Sequence, residues 1–199
     1  MDADVERAVG FHGHMCPGLA MGVRAARIAL REIGPHAADE EVVAVVETDM
    51  CAVDAIQSLV GCTFGKGNLI HRDYGKNAYT FYRRSDGKGL RITTRPDAWG
   101  PPEPERDELR RRVFGGAASD QERERFQRQQ LERADRVLAM PEEQLFSITP
   151  AGDRPPRPAR VHASLPCEEC GEPAMETRTR RFGGRTLCIP CFERADRRM

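Results

Sequence analysis

The chain of 199 residues carries 31 basic and 31 acidic side chains, and 39% of its residues are hydrophobic. A formal net charge of zero argues against a general polyanion binder, whose affinity depends on a strong basic excess. No apolar run approaches the roughly 20 residues of a membrane-spanning helix, and the acidic start lacks the apolar segment of a secretory signal, so we expect a cytoplasmic protein without a membrane span.

The first chemical motif, in residues 11–18, places two histidines and a cysteine directly before a predicted helix. Pro17 suits the first helical turn, and the free amides and dipole of a helix N-terminus favour the thiolate form of Cys16. Cys16 is therefore a candidate catalytic nucleophile, with His12 or His14 as its base, and all three are candidate metal ligands. The alternative is that the histidines are capping or core residues.

The next elements alternate between helix and strand. Residues 17–33 are apolar except for a narrow charged stripe, which predicts a core helix. The β-branched run 42–46 predicts a buried strand. Thr48 or Asp49 is suited to cap a second helix, which we expect to end at Gly61.

Cys51 and Cys62 flank this second helix. Together with the motif of residues 11–18 they supply sulfur and imidazole ligands for a transition metal such as zinc, with an open position for water or substrate. Either cysteine is equally compatible with a buried, inert side chain. Residues 62–76 are glycine-rich and predict an ordered loop, in which Lys66 is a candidate contact for an anionic ligand or a plain surface residue; the spacing does not match a phosphate-binding loop.

Residues 78–84 and 90–95 surround a glycine-rich turn and predict a β-hairpin. With the preceding strand and helices, the hairpin predicts an α+β fold with an antiparallel or mixed sheet and packed helices. Two charged helices follow, over 103–112 and 119–140, and Ser119 begins the second with capping-box spacing. The thin apolar stripe of the second helix favours packing at the edge of the core, with contact to a partner as the alternative.

Prolines between residues 149 and 160 predict an extended linker. We therefore expect residues 1–148 to form the α+β core, with residues 101–140 as its charged helical extension. Residues 161–199 follow the linker and form a separate small domain.

Two C-x-x-C pairs in this small domain have the spacing of a four-cysteine zinc site, which is the most specific pattern in the chain. The order of knuckle, hairpin and a helix over 192–198 predicts a treble-clef zinc finger. A closed four-sulfur site leaves no open position, so we expect structural zinc that contributes most of the folding free energy. Arginines in 178–198 form a local basic face, for which nucleic-acid binding is the less favoured role. The predicted zinc ligands are Cys167, Cys170, Cys188 and Cys191.

Four segments together resemble one protein family: residues 11–18, 47–57 and 61–68, and the paired cysteines. The chain is similar to the FmdE family, named for the E subunit of formylmethanofuran dehydrogenase. The resemblance implies an α+β core, a homodimer, an auxiliary treble-clef zinc finger and a cleft that binds a second metal. The residues that map to this cleft are His12, His14, Cys16, Cys51 and Cys62.

The resemblance also implies an accessory or redox protein of C1 metabolism. The family name points to a complex with a molybdenum or tungsten oxidoreductase that fixes carbon dioxide in methanogenesis, although the chain offers neither a molybdopterin cradle nor an iron–sulfur ligand set. The alternative is a zinc-finger regulator that binds nucleic acid or a transcription partner. A third hypothesis is an enzyme in which Cys16 is the nucleophile.

Overall fold

The chain folds into two compact units, of which the first ends at Pro158 and the second begins at Ala159. The computed structural model describes residues 2–197. Each unit contains helices and strands, so the predicted α+β class is confirmed. Within the described residues, no helix combines the length and the apolar character that a bilayer crossing needs.

The first unit is built on a mixed sheet in the strand order β2-β1-β3-β4-β5. Strand β1 pairs in parallel with β2, and the other pairings are antiparallel. The predicted strand and hairpin are confirmed as β1, β3 and β4. The strand bounds are β1 (Val42–Val46), β2 (Leu69–His71), β3 (Ala78–Arg83), β4 (Gly89–Thr94) and β5 (Phe146–Pro150).

Helices cover one face of this sheet. Ala44, Val46 and Phe81 point into the main core with the helices, whereas Val43 and Val45 pack on the opposite face. Strand β1 is therefore buried on both faces, which explains its uninterrupted β-branched sequence. The helices of the first unit are α1 (Ala3–His12), α2 (Pro17–Glu32), α3 (Ala52–Ala55), α4 (Pro104–Phe114), α5 (Asp120–Ala139) and α6 (Glu142–Leu145).

Helix α5 starts with the predicted capping box: Ser119 accepts from the Glu122 amide, and the Glu122 side chain accepts from the Ser119 amide. Its apolar side packs on α2, with Ala134 and Val137 in the main core. Arg24 of α2 donates to the Val137 and Leu138 carbonyls. These contacts confirm the prediction that the charged helix packs at the edge of the core.

The second predicted helix differs from expectation at both ends. It begins at Ala52, with Cys51 rather than Thr48 or Asp49 at its N-cap, because Thr48 accepts instead from the Met50 amide in the preceding turn. After Ala55 it widens into a π-helical turn, Ile56–Val60, and stops where predicted, at Gly61 with φ of 79°.

Helix α1 and strands β2 and β5 have no counterpart in the sequence predictions, and neither has the short helix α6. Asp2 caps α1, which buries only Val5 and Ala8 and so has a weak apolar signature. Strand β2 interrupts the loop predicted over 62–76, where its three residues are too few to show a period. Strand β5 is largely exposed and extends through Thr149 and Pro150, which the proline pattern had assigned to the linker.

The second unit follows the predicted order of knuckle, hairpin and helix. The helix expected to reach Arg198 ends at Asp196, and Arg198 lies outside the described residues. An additional short ladder, β6 with β7, precedes the hairpin. The bounds are β6 (Ser164–Pro166), β7 (Pro173–Met175), β8 (Thr179–Phe182), β9 (Arg185–Cys188) and α7 (Ile189–Asp196).

Packing between α2 and α3 depends on Gly22. A Cβ atom at this position would lie 2.6 Å from Ala52 Cα, 2.8 Å from its carbonyl carbon and closer still to its carbonyl oxygen. Backbone cannot rotate away as a flexible side chain can, so any larger residue forces the two helices apart.

We expect Gly22→Ala to lower the free energy of unfolding by about 1–3 kcal/mol, because the added methyl group overpacks the contact between the helices. Urea unfolding followed by the fluorescence of Trp99 measures this change. Gly10→Ala is the matched control, because a Cβ at Gly10 meets nothing within 4 Å in α1. The free energy of unfolding of that variant should rise by about 0.5–1 kcal/mol, because alanine is favoured over glycine inside a helix. Equal stability changes in the two variants would contradict the close-packing argument.

Candidate functional site

The four cysteines of the second unit converge, and their Sγ atoms all lie within 4.8 Å of one another. Cys167 and Cys170 belong to the knuckle after β6, while Cys188 ends β9 and Cys191 lies in the first turn of α7. The Sγ atoms of Cys170 and Cys188 are 3.9 Å apart. Zn–S bonds of about 2.3 Å in a tetrahedron give a separation of about 3.8 Å, so the cluster fits zinc.

Backbone and side-chain donors stabilise negative charge on these sulfurs. Amide N–H groups of Cys170 and Cys188 lower the pKa of Cys167 to about 6. Arg194 Nη2 donates to Cys191 Sγ at 3.0 Å. Desolvation and the neighbouring thiols raise the pKa of Cys170 and Cys191 instead. A zinc ion among the four sulfurs offsets this cost, since cysteine binds zinc as the thiolate.

A second cluster lies in the first unit, where three helix ends meet. A ring nitrogen of His12 and the Sγ atoms of Cys16 and Cys51 all lie within 4.8 Å of one another, and His12 Nε2 is 4.0 Å from Cys16 Sγ. His12 ends α1, Cys16 is the N-cap of α2, and Cys51 is the N-cap of α3. Imidazole and thiol groups at this separation form a candidate metal site with three protein ligands.

Hydrogen bonds orient two of these groups. Asp54 Oδ2 lies 2.7 Å from His12 Nδ1 and accepts from it, which leaves the Nε2 lone pair directed at the cluster. The Leu19 amide donates to Cys16 Sγ at 3.3 Å, the N-cap contact that the sequence suggested. A carboxylate–histidine pair is the usual support of a histidine metal ligand.

The two thiols of this cluster are crowded. A Cβ on Gly18 would lie 3.3 Å from the Cys51 Cβ and 3.9 Å from the Cys16 Sγ, so glycine leaves room for both cysteines. Burial and the neighbouring Cys16 thiol raise the pKa of Cys51 to about 11. Two adjacent thiolates repel each other, and a cation between them offsets that repulsion.

The structure keeps three of the predicted site residues out of this cluster. The exposed His14 ring packs on His12, with 4.6 Å between ring centroids. Cys62 is fully buried, its thiol donates to the Val42 carbonyl, and burial raises its pKa to about 12. Lys66 Nζ donates to the Ala37 carbonyl at 2.7 Å.

A cleft of about 590 Å³ opens beside the cluster and is lined by Cys16 and Cys51. The N-terminal ends of α2 and α3 form one side of it, and α4 with α5 forms another. Sequence reasoning gave these charged helices no role in a site. The available signal was the spacing of Arg106, Arg110 and Phe114, which places all three on one face of α4.

The family comparison decides the relationship. A family model described as FmdE, molybdenum formylmethanofuran dehydrogenase operon, matches residues 11–147. The chain belongs to the FmdE family. A second model, for the prokaryotic dksA/traR C4-type zinc finger, matches residues 162–197 of this FmdE protein. The predicted family and zinc finger are both confirmed, and the four-cysteine cluster supports metal binding.

Two relatives give context for this FmdE protein. It is 34% identical over 192 residues to a probable S-adenosyl-L-methionine-binding protein of Archaeoglobus fulgidus, an alignment that covers 93% of this chain and 51% of the relative. The chain thus spans about half the length of this curated relative. The crystal structure of a tungsten formylmethanofuran dehydrogenase FmdE-like protein from Syntrophus aciditrophicus matches with a TM-score of 0.63 and 23% identity, covering 98% of this chain and 92% of that one. At this identity the likeness shows the fold.

We expect removal of zinc to unfold the second unit of this FmdE protein while its first unit stays folded. Among the described residues, the second unit has only a small apolar cluster around Leu187, whereas the first unit has an extensive core. Amide resonances of residues 162–197 should collapse to the narrow range of an unfolded chain after chelation, and zinc should restore them. Dispersed resonances in a zinc-free sample would contradict this expectation.

Proposed function

We propose that this FmdE protein is a metal-binding accessory protein of redox or C1 metabolism, in which His12, Cys16 and Cys51 hold a second transition metal beside a small-molecule cleft. The observation that carries the proposal is the convergence of one imidazole and two thiols within 4.8 Å at the border of that cleft. The four-cysteine finger has a separate, structural role.

The donor set favours zinc over harder cations. Two sulfurs and one nitrogen form a combination known from catalytic zinc sites, where a fourth position stays open. When bound, the metal supplies a Lewis acid at that open position. The geometry contrasts with the closed four-sulfur site of the finger, which has no such position.

Residues around the cluster have defined tasks in this proposal. Asp54 holds the His12 proton on Nδ1 and thereby keeps Nε2 available as a ligand. The Leu19 amide stabilises charge on Cys16. His14, exposed and next to His12, lines the cleft and is positioned to exchange a proton with a bound molecule.

The family supports the C1 context. Its model is described by the operon of a molybdenum formylmethanofuran dehydrogenase, so we propose association with an enzyme complex of that type. A homodimer belongs to the same proposal. The S-adenosyl-L-methionine named for the Archaeoglobus relative supports a small organic ligand rather than a macromolecule at the cleft.

The charges of the zinc finger give little support to the alternative function, a regulator that binds nucleic acid. Residues 159–199 contain eight arginines and six acidic residues, so most of the basic charge predicted from 178–198 is offset within the same small unit. Arg185, for example, pairs with Glu169. A basic excess of two residues gives this unit little of the long-range attraction on which nucleic-acid affinity depends.

Metal analysis tests the second centre. We expect two equivalents of metal per chain in the wild-type protein and one in Cys51→Ala, because that variant removes a ligand from the cluster and leaves the finger intact. Cys62→Ala is the matched control and should retain two equivalents, since Cys62 lies outside the cluster. A wild-type content of one, or equal losses in both variants, would refute the three-ligand centre.

Asp54→Asn tests the orientation of His12. An amide at this position does not stabilise the donor at Nδ1 as a carboxylate does, so metal affinity at the cluster should fall about 10–100-fold. Competition with a chromogenic zinc chelator measures the change. Asp49→Asn, an exposed neighbour without a role in the cluster, should bind as wild type does. Unchanged affinity in Asp54→Asn would exclude a supporting role for this carboxylate.

A further inference from the structure

The charge of the cleft differs from that of the chain as a whole. Acidic and basic residues are equal in number overall. The cleft, however, is lined by Arg106, Arg110 and Arg133, and among residues 2–197 no aspartate or glutamate contributes to its lining. A cleft with only positive formal charge attracts an anionic ligand.

Two of these arginines are available to such a ligand. Arg110 lies over the Phe114 ring at 5.8 Å and has no carboxylate within ion-pair distance in the described part of the chain. Arg106 has only a distant pairing with Asp107, at 3.9 Å. Arg133 differs, because it donates to the Trp99 carbonyl at 2.7 Å and so fixes the cleft wall.

Unsatisfied polar atoms concentrate at the same place. Among the described residues, six buried side-chain nitrogen or oxygen atoms lack a hydrogen-bond partner, and three belong to cleft-lining residues: Tyr79 Oη, Arg106 Nε and Gln130 Oε1. Each such atom costs stability unless something pairs with it. Tyr79 is fully buried, and burial raises its pKa, so its hydroxyl is kept protonated as a donor.

The remaining lining is largely apolar. Trp99 and Phe114 offer aromatic faces, and Met21 and Met50 offer flexible thioether side chains. Phe114 is 73% exposed and Met50 is 57% exposed, which leaves both free to cover a ligand. A ligand with an apolar body and a charged group matches this combination.

We infer that the cleft binds an organic carboxylate with an apolar or aromatic body. Its charged group pairs with the guanidinium groups of Arg106 and Arg110 and accepts from the Tyr79 hydroxyl, and its body packs on Trp99 and Phe114. The inference deepens the proposed function by naming the ligand class of that cleft, although recognition of the anion by α4 and α5 does not itself require a metal. The charged helical pair is thus the ligand-binding wall of the cleft.

Trp99 provides a direct readout, since it is the single tryptophan of the chain and lines the cleft. Hydrocinnamate, a phenyl ring joined to a carboxylate by a two-carbon chain, serves as the probe. Its neutral amide serves as the matched control ligand. Titration of the full-length protein should give a saturable change in Trp99 fluorescence. We expect the carboxylate to bind at least tenfold more tightly than the amide. Equal affinity for the two probes, or no saturable response to hydrocinnamate, would overturn the inference.

Two substitutions distinguish direct contacts between the ligand and the cleft wall from an effect of the protein's net charge. Arg110→Gln should weaken hydrocinnamate binding about tenfold and leave amide binding unchanged, because it removes one charge-assisted contact. Arg128→Gln removes the same charge from an exposed position of α5 outside the cleft lining and should bind hydrocinnamate as wild type does. Equal effects of the two variants would show that net charge alone governs binding and would overturn the inference.

Tyr79→Phe gives a second, independent readout. Removal of a buried hydroxyl without a partner should raise the thermal midpoint of the ligand-free protein, while hydrocinnamate affinity should fall several-fold. A merely structural tyrosine would not produce these opposite changes. A lower thermal midpoint with unchanged affinity would remove Tyr79 from the ligand site and overturn the inference as stated.

The binding experiment also distinguishes this inference from the proposed function. We measure both the hydrocinnamate affinity and the metal content of Cys51→Ala. This variant shows whether the cleft wall binds the carboxylate when the second metal is absent. Retained selectivity for the carboxylate in that variant supports the inference even if the wild-type protein contains one metal only. Loss of selectivity in Arg110→Gln with two metals retained supports the assignment of the two tasks to different residues.

Discussion

The approach of α2 to α3 is the constraint on which the candidate site depends. Gly22 allows the backbone of Ala52 to lie against α2, at a distance that no side chain would permit. Cys16 and Cys51 are the N-caps of these two helices, so the contact that packs the helices also brings the thiols together. Gly18, one residue beyond Pro17, leaves space between the two cysteines. The geometry of this candidate site therefore follows from core packing, and the site is as rigid as the core.

The four-cysteine site and the proposed second site couple to folding in different ways. In the described part of the second unit, the buried apolar residues are Leu187, the cysteines and a few neighbours, so the metal and the fold form together. In the first unit, the sheet and helices bury an extensive core whether or not His12 binds anything. Its cluster is preorganised, which favours an exchangeable position for a ligand over a purely structural bond.

Local sequence patterns predicted those elements that are specified by a few adjacent residues. The β-branched run of β1, the hairpin of β3 and β4, the capping box at Ser119 and the paired cysteines of the finger all follow from a few adjacent residues. Strands β2 and β5 do not, because their stability comes from neighbours distant in the sequence. Helix α1 buries two side chains only, so its apolar period is too weak to recognise.

The candidate site shows the same division. Cys51 and Cys62 lie at opposite ends of one helical segment, and nothing in the sequence distinguishes their chemistry. Tertiary packing does: the N-terminal end faces α1 and α2, whereas the C-terminal end places Cys62 beneath β1, with its thiol on the Val42 carbonyl. Spacing in the sequence groups candidate ligands, but only the fold selects among them.

The charged helices α4 and α5 line the cleft, a role that their composition does not suggest. A solvated helix needs no particular order among its arginines, yet α4 places Arg106, Arg110 and Phe114 on one face, and that face lines the cleft. Carboxylates on the same helix, such as Glu105 and Glu108, do not contribute to the lining. This segregation keeps charge attraction local while the whole chain stays neutral. A neutral protein with a positive cleft attracts a small anion without attracting polyanions.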